Sequence, residues 1–221
     1  MSKKIGVVLA GCGVYDGSEI HEAVLTLLAL DRAGAEVLCI APNMDQAHVI
    51  NHLTGEVAGG EKRNVLVESA RIARGNVVDI ATVKPEQLSA LVIPGGFGAA
   101  KNLCNFAFVG EECVVNAEVK KLIQAMALAR KPIAAICIAP TVLTKALSEV
   151  GIKPTVTIGT DKVTAAKIGM MGGIHENQPV RGVTVDKGNR IVTSPAYMLG
   201  QSISEVADGI NNTIAELMKL L

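Results

Sequence analysis

Cys137 stands near the end of an apolar run, Ile133 to Ile138, and a helical pattern begins at once with Pro140 and Thr141, which leaves a residue or two for the turn. A nucleophile raised on such a strand-to-helix elbow needs small residues two positions to either side, and Ala135 and Ala139 supply them. The positive end of the following helix faces the thiol, which predicts a lowered pKa and a raised thiolate fraction at neutral pH. Pro140 has no N–H to satisfy and suits the first helical turn. A free cysteine is also among the most frequently buried residues, so spacing alone leaves a nucleophile and a structural cysteine both open.

Two other features lie where they could act on that thiol. Pro94-Gly95-Gly96-Phe97-Gly98 follows the strand Leu88 to Ile93, and glycines there would let backbone N–H groups approach an oxyanion, with the N–H of Ile138 as second donor. The same residues also read as an ordinary glycine turn. Glu19 and Glu22 lie on one face at the start of the first helix. Glu19 is accounted for as the partner of Asp16 in a D-x-x-E capping box, whereas Glu22 lies deeper and points toward the strand ends. A carboxyl beside a thiol can move protons, and burial would raise its pKa toward that task; the alternative is a solvated helix charge. Of the four histidines, His21, His48, His52 and His175, none stands in a metal-binding pattern, so no metal is expected. His175 reads as a surface residue that a loop could bring near the site, and Cys12, between two glycines, as a second thiol open to oxidation.

For these residues to meet, the chain must form a sheet whose strand ends share one edge. Ile5 to Ala10 and Glu36 to Ala41 bracket an amphipathic helix with Ile20, Val24, Leu27 and Leu28 on one face and Ala33-Gly34 as its stop. Residues 43–75 are polar and glycine-containing and read as an insertion. Strands follow at Val77 to Val83, Leu88 to Ile93, Ile133 to Ile138 and Thr155 to Ile158, with helices near Ala117 to Arg130 and Thr141 to Val150. Val183 to Asp186 and Arg190 to Thr193 form a hairpin, so the sheet is expected to be mixed. A final helix carries Ile203, Val206, Ile210, Ile214 and Leu217 as one stripe. The expectation is one α/β domain over residues 1–221, a doubly wound, mostly parallel sheet with ligand sites outside the carboxyl ends of its strands.

Composition agrees. The 221 residues are 49% hydrophobic and 2% aromatic, so the core must be Ala, Val, Ile and Leu, the filling of buried parallel strands. A formal net charge of zero predicts neither nucleic acid nor an anionic membrane as partner. No apolar stretch approaches the roughly 18 residues of a membrane span. Five cysteines without C-x-x-C spacing suit reduced thiols, and a cytosolic location is expected.

The segments DGSEIHEA followed by DRAG, VIPGGFGAAKNL and AAICIAPTVL, in that order, resemble the class I glutamine amidotransferase-like superfamily of PfpI-type proteases and Parkinsonism-associated deglycases, and within it the ElbB-type glyoxalases of isoprenoid biosynthesis. The resemblance covers essentially the whole chain and implies a flavodoxin-like fold, no cofactor and a homodimer. It places the family nucleophile at Cys137, its glutamate at Glu22, and its backbone donors at Gly96 and Ile138, with Gly95 adjacent. Many members carry a histidine some twenty residues after the nucleophile, where this chain reads Val156-Thr157-Ile158-Gly159; the amidotransferase His-x-Glu near the chain end is replaced by Ser194-Pro195-Ala196. The resemblance therefore implies conversion of glyoxal or a related dicarbonyl to a hydroxy acid such as glycolate, or deglycase chemistry on the same aldehydes, and not amide hydrolysis by a triad. The non-enzymatic alternative is a redox-sensing or chaperone-like protein.

Overall fold

The alternation of strands and helices closes as a doubly wound sheet in the computed structural model, which describes residues 3–221. Its elements are β1 Lys4–Val8, α1 Ile20–Arg32, β2 Glu36–Ala41, β3 Ile50–Asn51, β4 Glu56–Val57, α2 Val65–Ile72, β5 Val77–Asp79, β6 Ala90–Ile93 and α3 Phe106–Val109. There follow α4 Ala117–Leu128, β7 Ile133–Ile136, α5 Ala139–Ser148, β8 Thr155–Val156, α6 Lys162–Met170, β9 Ile174–His175, β10 Thr184–Asp186, β11 Ile191–Ser194 and α7 Ile203–Lys219. Seven strands make the main sheet in the order β10-β11-β7-β6-β1-β2-β5, parallel except for β10, which pairs antiparallel with β11. The chain builds outward from β1 to β2 and β5, then returns to β6 and builds the other way. The crevice between the ends of β1 and β6 is therefore the switch point where such folds hold ligands.

Pleating divides the core in two. Leu91, Ile93, Ile133 and Ala135 face α4 and α5 on one side, and Val92, Ala134 and Ile136 face α1 and α7 on the other; all are fully buried. Burial of a Leu or Ile here contributes about 1.5–3 kcal/mol, and the runs of small β-branched side chains let helices cover both faces.

Several elements differ from the sequence expectation. On α1 the row Ile20, Val24 and Leu28 is exposed, and the helix buries Glu22, Ala23, Thr26, Ala29 and Leu30 instead. Small side chains on that face let α1 lie against α7, which excludes its bulkier row from the core. Asp16 does not form the capping box: Glu19 is itself the N-cap and accepts from the N–H of Glu22, while the Asp16 carboxylate accepts from the N–H of Ile50. The stretch 43–75 is less of an insertion than its composition suggested. Only its first part is an excursion, carrying the β3–β4 hairpin, and α2 is a regular crossover helix capped by Asn64. The strand expected from Val77 turns into a 3-10 turn at Ile80, and Thr155–Val156 pairs with β9 in a separate two-stranded ladder.

In α7 the expected stripe is buried apart from Ile203, and Gly209 joins it. A Cβ at Gly209 would lie 2.5 Å from the carbonyl oxygen of Val180. Gly209→Ala should therefore lower the urea midpoint despite a helix-propensity gain of about 1 kcal/mol, because a backbone oxygen cannot rotate away.

Candidate active site

Cys137 follows β7 directly and precedes α5, with φ +63° in the left-handed region. Its N–H donates to the carbonyl of Ser194, which extends the β7–β11 ladder by one residue and leaves the backbone to reverse within a single residue. A non-glycine residue held there stores on the order of 1–3 kcal/mol of strain, sustained by fully buried neighbours including Ala135 and Ala139. The side chain is thereby held at the sheet edge, still buried but facing the cavity.

Glu22 is fully buried at the same point, brought by the first turn of α1. One carboxylate oxygen accepts from the N–H of Gly95 at 3.1 Å and the other from the N–H of Tyr197 at 3.1 Å, and the carboxyl lies beside the Cys137 thiol across Gly95, close enough for each to shift the other's pKa. The backbone amides of Gly96 and Ile138 lie close enough to pull the Cys137 pKa down, and both residues line the cavity with it. The structure thus assembles Cys137, Glu22, Gly96 and Ile138. Gly95 stands beside them in a different capacity: its N–H is committed to Glu22, and its missing side chain leaves the space in which sulfur and carboxyl meet. A Cβ there would lie 2.4 Å from Cys137 Cβ and 2.5 Å from Glu22 Oε2.

The electrostatics reverse one expectation. Burial, then the charge of Glu22 and the hydrogen bond to it, push the Cys137 thiol well above its ordinary value, although the Gly96 and Ile138 amides pull the other way. Glu22 is likewise pushed up, to about 8, first by burial and then by Glu19, against the stabilising N–H donors of Tyr197 and Gly95. Cys137 is therefore not a free thiolate made by a helix end. Two acids share one buried site that does not tolerate both charges, so at neutral pH the pair mostly holds both protons, and the nucleophile forms once one is lost and the thiol proton passes to the Glu22 carboxylate.

Tyr197 was not foreseen. Ala196, at φ +45°, turns the chain after β11 so that the next N–H meets Glu22, and the Tyr197 hydroxyl is within 2.7 Å of His21 Nδ1. Neither residue stands in a spacing that signals this; only the strained alanine marks it. His175 stays away: its Nε2 accepts from the N–H of Ile158, and it does not line the space over Cys137. Cys12 does not line it either. Among the described residues no group of three or more His, Cys, Asp or Glu could hold a metal, and no helix is long and apolar enough to cross a membrane. Above Cys137 a cavity of about 450 Å³ opens between the loops after β1 and β6 and the segments around Phe106 and Met198.

Comparison with known proteins agrees with this fold. The model of the DJ-1/PfpI family matches residues 8–199. The human protein named glutamine amidotransferase-like class 1 domain-containing protein 3, mitochondrial, is 42% identical over 98% of this chain and 83% of its own length. The rat mitochondrial ES1 protein homolog is 41% identical over 98% of this chain and 84% of its own. The crystal structure of an isoprenoid biosynthesis protein with amidotransferase-like domain from Ehrlichia chaffeensis superposes with a TM-score of 0.93 at 42% identity, covering 99% of both chains. The expectation of a cytosolic location does not stand, since these curated relatives are mitochondrial proteins. Composition and reduced thiols carry no information that separates the two compartments.

Proposed function

The chain belongs to the DJ-1/PfpI family, and from that premise we propose that it is a glyoxalase that needs neither glutathione nor a metal and converts glyoxal or a related dicarbonyl to a hydroxy acid. The observation that carries the reading is the buried Cys137–Glu22 pair, packed together across Gly95 with the backbone amides of Gly96 and Ile138 beside the sulfur.

Glu22, as carboxylate, takes the thiol proton while sulfur adds to one aldehyde carbon. The oxygen that becomes negative lies against the N–H groups of Gly96 and Ile138 and then receives that proton, giving a hemithioacetal. Glu22, ionised again, withdraws the remaining C–H proton of that carbon and returns it to the neighbouring one, as the hydroxyl proton passes from the first oxygen to the second. The first carbon is oxidised to a thioester and the second reduced to an alcohol, so no outside oxidant is needed. Water hydrolyses the thioester and frees the thiol. Glyoxal and water leave as glycolate and a proton. Deglycase activity would begin from the same aldehydes in their hemithioacetal or aminocarbinol form.

Purified protein incubated with glyoxal in the absence of glutathione should form glycolate in a one-to-one ratio to glyoxal lost, and prior alkylation of Cys137 should stop it. Glyoxal loss without glycolate, or a rate indifferent to alkylation, would overturn the assignment.

A further inference from the structure

We propose that the cavity over Cys137 selects neutral electrophiles bearing an apolar substituent larger than any on glyoxal, and rejects anionic ones. The inference deepens the glyoxalase reading, on which the identity of the electrophile as an aldehyde rests.

The cavity, at about 450 Å³, far exceeds what a two-carbon dicarbonyl fills once its carbonyl groups are engaged by Cys137, Gly96 and Ile138. Its remaining walls are Val14, Phe97, Phe106 and Met198, with Ala100 and Ala107 between them. Phe106 is buried and Phe97 is half exposed at the mouth. An apolar substituent would exchange water for these side chains.

The charged groups on the walls are both acidic. Glu19 caps α1 by accepting from the N–H of Glu22 at 2.7 Å, and Asp161 caps α6 by accepting from the N–H of Thr164 at 2.7 Å. No lysine, arginine or histidine lines the cavity among the described residues. The nearby lysines are screened: Lys101 and Lys167 lie 5.5 and 5.6 Å from the ring centroids of Phe97 and Phe106 and do not line the cavity. A carboxylate or phosphate on the substrate would meet two carboxylates and no counter-charge, which is discrimination by repulsion as well as by fit.

Two measurements test this separately from the activity. In the first, kcat/KM is compared for glyoxal, methylglyoxal, propylglyoxal and pentylglyoxal, and for phenylglyoxal against 4-carboxyphenylglyoxal. The expected rise is roughly threefold to fourfold per methylene, from the transfer of each CH2 out of water, and the neutral aryl compound should exceed its carboxylate by about tenfold or more. In the second, the rates at which iodoacetanilide, iodoacetamide and iodoacetate alkylate Cys137 are each divided by the rate on a free thiol and read by peptide mass spectrometry. The order should follow that sequence, fastest first. Phe97→Ala, at a half-exposed position where folding is not at stake, should flatten the alkyl series by removing an apolar wall of the cavity. A flat series with turnover intact overturns the selectivity and leaves the glyoxalase reading standing. No turnover of any dicarbonyl, with the alkylation order preserved, overturns that reading and leaves the neutral apolar cavity in place. Equal normalised rates for iodoacetate and iodoacetanilide overturn the selectivity whatever the turnover.

Discussion

Gly95→Ala is expected to reduce glyoxal turnover by at least about a hundredfold, because an added methyl would occupy the space in which Cys137 and Glu22 meet, and misplacing reacting groups by an ångström costs that much. The contacts would be 2.4 Å to Cys137 Cβ, 2.5 Å to Glu22 Oε2 and 3.0 Å to Cys137 Sγ. None of these neighbours can step aside cheaply. The Cys137 Cβ is fixed by a backbone at φ +63°, and the carboxylate is clamped between the N–H groups of Gly95 and Tyr197. Relief must come from parting β6 from α1, so stability should also fall, by about 1–3 kcal/mol as for other overpacked sites. Gly59→Ala provides the comparison: nothing lies within 4 Å of its added Cβ, and both rate and unfolding midpoint should stay near wild type. Steady-state kinetics with urea unfolding on the two variants checks the point, and full activity in Gly95→Ala would mean that sulfur and carboxyl need not touch.

How much of this was legible beforehand depends on whether the signal was local. The elbow could be read because a strand, a cysteine and a helix in immediate succession leave one geometry for the turn, and Ala135 and Ala139 are the small residues it requires. The hairpin β10–β11 and the stripe on α7 were periodic enough to stand on their own. The buried face of α1 was read only in part: Leu27 packs against the core as expected, but Ile20, Val24 and Leu28 are left outside and Ala23, Ala29 and Leu30 are buried beside α7 instead, because tertiary packing and not hydrophobic rank chose the face. Glu22 was singled out, yet its burial was not foreseeable from an amphipathic wheel, since a carboxyl enters the core only when donors from distant segments await it. Those donors, Gly95 and Tyr197, lie 73 and 175 residues away. The same distance hid the reversal of the Cys137 pKa, for a helix end nearby in sequence was outweighed by burial and then by a carboxyl, both brought about by tertiary packing.

Glu22→Gln separates the two acids and carries the second large expectation. Turnover should fall by about 10²–10⁴, the usual worth of a positioned proton carrier, while the thiol becomes more reactive, because the neighbouring carboxylate charge that helps hold its pKa up is gone. Iodoacetamide should accordingly alkylate Cys137 faster in the variant than in wild type at pH 7. For wild type the competent form has lost one proton from the pair, so kcat/KM should rise with pH and level off above about 8, the value to which Glu22 is raised. The same shift has a stability signature of definite sign. The folded carboxyl holds its proton up to about 8 and the unfolded one only to its ordinary 4.5, so folding retains a proton between these limits. Stability relative to Glu22→Gln is then fullest below 4.5 and declines as pH rises toward 8, by up to about 1.4 kcal/mol per pH unit within that window. Urea titrations of both proteins at pH 5 and pH 8 measure it. A wild type that gains on the variant as pH rises would mean that Glu22 is ionised in the resting site, and kcat/KM should then show no rise toward pH 8.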